Sequence, residues 1–126
     1  MQRFRQAVEA FDLDALEQCL AEDVEFLSPV VFKPYRGRAV VGALLRRVAG
    51  IFEDFHYVAE LRDGDQTALV FQARVGDRAV DGIDLGRVDP ETGLVTHLSV
   101  FIRPMSGAQA LAAAVVASLT EGGASV

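Results

Sequence analysis

Asp81-Gly82-Ile83-Asp84-Leu85-Gly86-Arg87-Val88-Asp89-Pro90-Glu91-Thr92-Gly93-Leu94-Val95, running on through Thr96-His97-Leu98-Ser99-Val100-Phe101-Ile102-Arg103, reads as two β-strands joined by a turn. Asp89-Pro90 opens the turn with a fixed φ, and Gly93 closes it where φ is expected to be positive. Side chains alternate across a strand, so Gly82, Asp84, Gly86 and Val88 share one face. In the partner strand Leu94, Thr96, Leu98, Val100 and Ile102 form the apolar face. With Val88 set near Leu94, Asp84 falls opposite Leu98. An acid on an apolar face, with a glycine two residues away on each side, has empty volume beside it, as the wall of a pocket would.

The strands before this stretch extend it into a sheet. Phe55, Tyr57, Ala59 and Leu61 alternate with polar residues, Asp63-Gly64-Asp65 turns, and Leu69, Phe71, Ala73 and Val75 form the next apolar face. Gly76-Asp77-Arg78 turns again, so four consecutive strands make an antiparallel meander. Upstream, Phe4, Val8 and Phe11 have helical spacing. Asp12 is placed to cap a short second helix that carries Leu13, Leu16 and Leu20 inward. Val24 to Ser28 reads as a short strand stopped by Pro29. The loop from Pro29 to Gly37 holds Phe32 and Tyr35, read as an apolar lid and as a pocket mouth. A long helix, Arg38 to Phe52, presents Val40, Val41, Leu44, Leu45, Val48, Ile51 and Phe52 as one wide stripe, read as core packing with no ligand role. Arg38, Arg46 and Arg47 are expected to face away from it. After Pro104 the chain turns Ala-rich, predicting a C-terminal helix over about 106–119 that either packs on the sheet or meets a second subunit. Glu121 to Val126 reads as a frayed tail.

The predicted class is α+β: a curved antiparallel sheet wrapped around a long helix, with an Ala-rich helix at the C-terminal end. No repeat or linker divides the 126 residues, so one domain is expected, its core over about 4–103. A net charge of −6 and a pI near 4.8 argue against nucleic acid and anionic membranes as partners. One cysteine, Cys19, precludes an internal disulfide and fits a reducing interior. No basic, apolar leader opens the chain and no apolar run approaches ~18 residues, so a cytoplasmic location is expected.

With this order of elements, the Asp12-Leu13-Asp14 helix start and the Asp84-to-Gly93 hairpin, the chain resembles the nuclear transport factor two-like superfamily. That superfamily includes the SnoaL-like proteins and the ketosteroid isomerases, and the resemblance covers about Phe4 to Arg103. It implies a cone-shaped fold with a small-molecule pocket, and relatives of this shape often form homodimers. A ketosteroid isomerase uses a tyrosine, a basic aspartate and a protonated aspartate. In register, these positions fall on Phe4, Ser28 and Asp84. Only the last keeps its chemistry, so the full isomerase set is not expected. The Asp-Arg-Asp group of the epoxide hydrolases is not matched either, since Arg78 and Asp81 are wrongly spaced. A SnoaL-like cyclase relies mainly on one acid or base in a shaped pocket, which Asp84 could supply alone.

Asp84 is therefore the candidate catalytic residue, as pocket acid or ligand anchor. The rival is a buried carboxylate paired with Arg103 or Arg36. Desolvation is expected to raise its pKa above ~3.9. Phe4, Phe32, Tyr35, Phe71, Gly82, Gly86, Leu98 and Val100 are the candidate ligand-binding residues, for a small apolar, oxygenated molecule. Asp81 faces away from Asp84. No His/Cys/Asp spacing supplies a metal site, no cofactor is expected, and Cys19 reads as inert core. Val95, His97, Ser99 and Phe101 on the outer face predict pairing into a homodimer. Three functional readings stay open: a cofactor-free acid–base enzyme, a non-catalytic carrier, and a protein-interaction module with a filled cone.

Overall fold

In the computed structural model, residues 1–121 are described. Two short helices, α1 (Gln2–Glu9) and α2 (Leu13–Gln18), precede strand β1 (Leu20–Leu27). Asp12 caps α2, its Oδ1 accepting from the Ala15 amide at 3.1 Å. The helix stops earlier than its leucine spacing predicts. Leu20 is buried as expected, but as the first residue of β1. A two-residue strand, β2 (Tyr35–Arg36), leads into α3 (Arg38–Ala49). The meander follows as β3 (Glu53–Asp63), β4 (Gln66–Val75), β5 (Arg78–Val88) and β6 (Val95–Arg103), and α4 (Met105–Glu121) closes the described chain. Of the tail read as frayed, Glu121 belongs to α4 and residues 122–126 lie outside the described residues.

The sheet order is β2-β1-β6-β5-β4-β3. The meander is antiparallel throughout, while β1 enters the sheet beside β6 in the parallel sense. That single parallel pair departs from the all-antiparallel expectation. It arises because β1 returns to the sheet through α3 and the whole meander.

Gly64, Gly76 and Gly93 all have positive φ, at 60°, 62° and 73°. These are the turn positions where a left-handed backbone is required. Asp89 anchors the β5–β6 turn: its Oδ1 accepts from the Glu91 amide at 2.8 Å, and its carbonyl from Gly93 at 2.8 Å.

Irregularities set the facing residues. Between Arg87 and Val88 the β5–β6 register shifts, so Val88 pairs with Val95 while Arg87 pairs with His97. With Val88 already one residue beyond the expected Leu94 partner, the shift sets Asp84 opposite Val100 and Leu98 opposite Gly86, two residues from the simple alternation. The same shift turns Val95 inward, where it is fully buried, correcting its assignment to the outer face. A second shift between Tyr57 and Ala59 turns Leu61 out to solvent. Phe71, Leu69, Leu98, Val24 and Val41 form the centre of the core.

Helix α4 packs on the sheet of its own chain, with Leu111 buried in the core. Its approach depends on Gly107, where a Cβ would overlap the Val80 side chain. Val40 departs from the stripe and is exposed, while Arg38 and Arg46 do not simply face solvent as the stripe implies. Arg38 donates to the Leu20 carbonyl at 2.8 Å, and Arg46 bridges Asp14 and Glu17 on α2.

Candidate functional site

The curved sheet and the helices leave a cavity of about 570 Å³. Its wall is overwhelmingly apolar. Phe4, Val8 and Phe11 come from α1 and its end, Phe26 from β1, Leu44, Leu45 and Val48 from α3, and Phe52 and Phe55 from the segment after it. Leu111, Val115 and Leu119 come from α4. The α3 stripe, assigned as a whole to core packing, is thus partly cavity wall.

Asp84 lies on this wall and is only 7% exposed. It is on β5, on the inward face that alternation assigns it, and Tyr57 reaches it from β3. The phenol donates to Asp84 Oδ2 at 2.9 Å. Burial pushes the Asp84 carboxyl up to about 7, partly opposed by the Tyr57 hydrogen bond, which favours the carboxylate. Burial and the neighbouring Asp84 charge raise the Tyr57 phenol well above its ordinary value. Near neutrality the acid is therefore poised between its two forms while the phenol stays protonated. With Tyr57 donating to one carboxyl oxygen, a proton on the other is available to an acceptor in the cavity.

Neither arginine proposed as a partner reaches Asp84. Arg103 bridges Asp81 on the outer face at 2.7 Å, and Arg36 bridges Glu25 at 2.8 Å. Tyr57 was not predicted, because its strand is two removed from β5 and the spacing gives no sign of the contact. Its phenol is engaged by Asp84, while Phe4, where the resemblance sought a tyrosine, has no hydroxyl. Arg5 is placed over the Tyr57 ring, 5.4 Å from its centroid, and bridges Glu60 at 3.0 Å and Glu9 at 3.3 Å. Glu9 also lines the cavity, a second carboxylate that the sequence reading did not single out.

The candidate ligand-binding residues divide. Phe4, Tyr35 and Val100 line the cavity with Asp84. Phe32 does not: it is fully exposed at the loop tip, while its neighbours Ser28, Pro29, Val30 and Val31 reach the wall instead. Phe71 and Leu98 are behind the wall, in the solid core. The two glycines leave no empty volume. A Cβ at Gly82 would overlap the Phe71 ring, and one at Gly86 would overlap the Met1 side chain. Both spaces are already filled, so the room beside Asp84 comes from the withdrawn helices. Ser28 Oγ accepts from the Val30 and Val31 amides at 3.1 and 3.3 Å, a local turn rather than a proton acceptor in the cavity.

Other reactive groups stand apart. Burial pushes the Cys19 thiol up to about 11, and its Sγ donates to the Leu16 carbonyl. His56 and His97 are exposed on the outer face, and among the described residues no cluster of His, Cys, Asp or Glu converges on a metal position.

The model of the SnoaL-like domain matches residues 1–102. Among solved structures, a steroid delta-isomerase from Pseudomonas aeruginosa superposes with a TM-score of 0.92 at 38% identity, covering 98% of this chain and 91% of that one. A protein with a cystatin-like fold from Silicibacter pomeroyi superposes with a TM-score of 0.88 at 33% identity, covering 94% and 84%. A putative ketosteroid isomerase from Kribbella flavida, at 21% identity, shares the fold with a TM-score of 0.67 and covers 82% and 74%. No functionally curated protein matches. No helix among the described residues is long and apolar enough to cross a membrane. On the match across most of its length, the chain belongs to the SnoaL-like domain family.

Proposed function

We propose that the chain binds an apolar small molecule carrying one oxygen acceptor, seated with that oxygen against Asp84, and acts on it by cofactor-free acid–base chemistry. The observation that carries this reading is a buried acid, held by Tyr57, in a cavity whose described wall is mostly apolar. A volume of about 570 Å³ is in the range of small-molecule sites. Inside such a wall a donor to a ligand oxygen is worth more than in water, because competing water is excluded. A carboxyl near neutrality is also matched to proton transfer at physiological pH.

The 38% identical protein is described as a steroid delta-isomerase, which makes a steroid ketone the first probe. The protonated Asp84, oriented by Tyr57, would polarise the ketone oxygen. A shift of a double bond also needs a proton carrier beside the carbon chain. Ser28 carries no charge, and Glu9 is the other carboxylate on the described wall. Catalysis therefore requires Glu9; a carrier does not. Titration of the intact protein with a steroid ketone, read by NMR shifts, tests the binding half. Asp84→Leu is expected to weaken binding about tenfold or more, the loss of a carboxyl-to-carbonyl hydrogen bond in a dry site. Unchanged binding in that variant would overturn the reading. A double-bond shift seen by absorbance, and lost in Glu9→Gln, separates enzyme from carrier.

We further propose that two copies pair through the outer sheet face, where Phe101, Ile83, Val58 and Leu61 are exposed, and that the protein works in the cytoplasm, where its free thiol Cys19 would stay reduced.

A further inference from the structure

A second cavity, of about 390 Å³, opens where the start of α1 meets the β3–β4 and β5–β6 turns. Phe4 is the wall it shares with the first. Its chemistry is different. Arg3 and Arg62 line it, and neither has an acid partner among the described residues. Arg62 donates only from Nε, to the Gly64 carbonyl at 3.4 Å, which leaves the two NH₂ groups of its fork unengaged. In a chain of net charge −6, acids outnumber bases, and Arg5, Arg36, Arg46, Arg74 and Arg103 all hold close carboxylates. Two unpaired guanidinium groups on one small cavity therefore call for an explanation.

Thr67 is the second, independent observation. It faces inward from β4 on this wall and is only 5% exposed, yet its hydroxyl has no hydrogen-bond partner among the described residues. Among the described residues no fully buried side-chain oxygen or nitrogen lacks a partner, so this hydroxyl opens onto the cavity, where it is free to donate to a bound group. The helix start adds donors: Met1 caps α1 with no side-chain bond, so the first-turn amides lack a side-chain acceptor. The two acids on the wall are engaged elsewhere. Glu60 binds Arg5 at 3.0 Å, and Asp65 faces Arg87 at 3.9 Å. Cys19, with its raised pKa, is a neutral thiol there and adds no negative charge.

We propose that this cavity is a binding site for a small oxyanion, a phosphate or carboxylate group, held between Arg3, Arg62 and the Thr67 hydroxyl. A guanidinium fork matches two oxygens of such a group, and a hydroxyl can donate to a third. The site is separate from Asp84, so its test is independent of the first cavity.

The test is an amide NMR titration of the intact chain at constant ionic strength, with inorganic phosphate in one series and acetate in another. Saturable shifts at Arg3, Phe4, Gly64 and Thr67 are expected with at least one anion. Stronger binding of phosphate assigns a phosphate group, and stronger binding of acetate a carboxylate. The double variant Arg3→Ala, Arg62→Ala and the near-isosteric Thr67→Val should each weaken the better anion about tenfold. Thr67→Ser should restore it, and Asp84→Asn should leave it unchanged. The arginines are exposed, so their removal does not threaten folding. The proposal is overturned if neither anion saturates, if the shifts map elsewhere, or if the double variant binds as the parent does.

Discussion

Tyr57 on β3 and Asp84 on β5 meet across the intervening strand β4, with the phenol oxygen 2.9 Å from the carboxylate. Direct cross-strand partners lie elsewhere: Tyr57 pairs with Phe71, and Asp84 with Leu69. The contact is therefore a diagonal reach over β4. It is possible because Phe71 leans onto the bare backbone of Gly82, clear of the line between the two polar groups. One glycine on β5 thus permits the ring placement, and the ring placement leaves the acid a single neutral partner. Without a cation beside it, desolvation dominates the acid's titration.

The stability of the protein should therefore fall between about pH 4 and pH 7. In that window the unfolded chain gives up the Asp84 proton, since its pKa is ~3.9, while the fold retains it until about pH 7. The fold then binds more protons than the unfolded state, so stability drops as pH rises, by at most ~1.4 kcal/mol per pH unit. Asp84→Asn removes this dependence. At pH 8 the variant should be as stable as the parent or more so, by about 1–3 kcal/mol, and near pH 4 the two should converge. Urea unfolding across this range is the measurement. A parent whose Asp84-dependent stability rises through the window would show an ionised, structurally paired acid.

Tyr57→Phe should move the Asp84 titration further upward, because the lost hydrogen bond is the one interaction favouring its carboxylate. A shift of about one pH unit is expected, at a stability cost of about 1 kcal/mol. Carbon-detected NMR of the carboxyl reads it directly. A downward shift would mean that another donor, hidden by Tyr57, holds the charge.

Alternation along β4, β5 and β6 made the inward position of Asp84 legible, since a period of two is fixed by the backbone. Its neighbours were not legible, for two physical reasons. Val88 pairs with Val95 and not Leu94, and the shift at Arg87/Val88 adds one residue more, so Val100 and not Leu98 is opposite the acid; no residue type there announces it. The Tyr57 contact depends on side-chain reach across a strand, which spacing along one strand cannot express. Helix α3 shows a third kind of limit. Its apolar stripe is the same whether the partner is a side chain or a void, so Leu44, Leu45 and Val48 read as core although they bound a cavity. Phe32 fails in the opposite direction: an aromatic in a proline-flanked loop reads as buried, yet the turn anchored by Ser28 swings it outward.

The two glycines flanking Asp84 should respond differently to alanine. At Gly82 the new methyl meets the Phe71 ring, which is fully buried and in contact with Phe52, Phe55 and Tyr57. Relief requires repacking that aromatic cluster, a cost of about 1–3 kcal/mol. At Gly86 the methyl meets only the far end of the Met1 side chain, which is flexible and near the chain start. Gly86→Ala should cost under ~1 kcal/mol. Thermal unfolding of both variants decides it. Equal costs would show that Phe71 gives way as easily as Met1.

On the outer face, Ile83 pairs with Phe101 on one side and with Val70 on the other, and Leu85 lies between Ser99 and Ala68. Phe101 is 55% exposed, although its neighbours in the sheet are apolar. The Asp81–Arg103 bridge borders this patch. A second copy placed by a two-fold axis would cover the patch with the same patch. Covering Phe101 is worth about 1.5–3 kcal/mol per copy, and a two-fold interface counts it twice. Phe101→Glu should therefore raise the dimer dissociation constant about a hundredfold or more. Light scattering at micromolar concentration should give twice 13.6 kDa for the parent and 13.6 kDa for the variant. Because Phe101 points away from the cavity, the variant should still bind the steroid probe. A parent that scatters as a monomer would leave the outer face without a partner of its own kind.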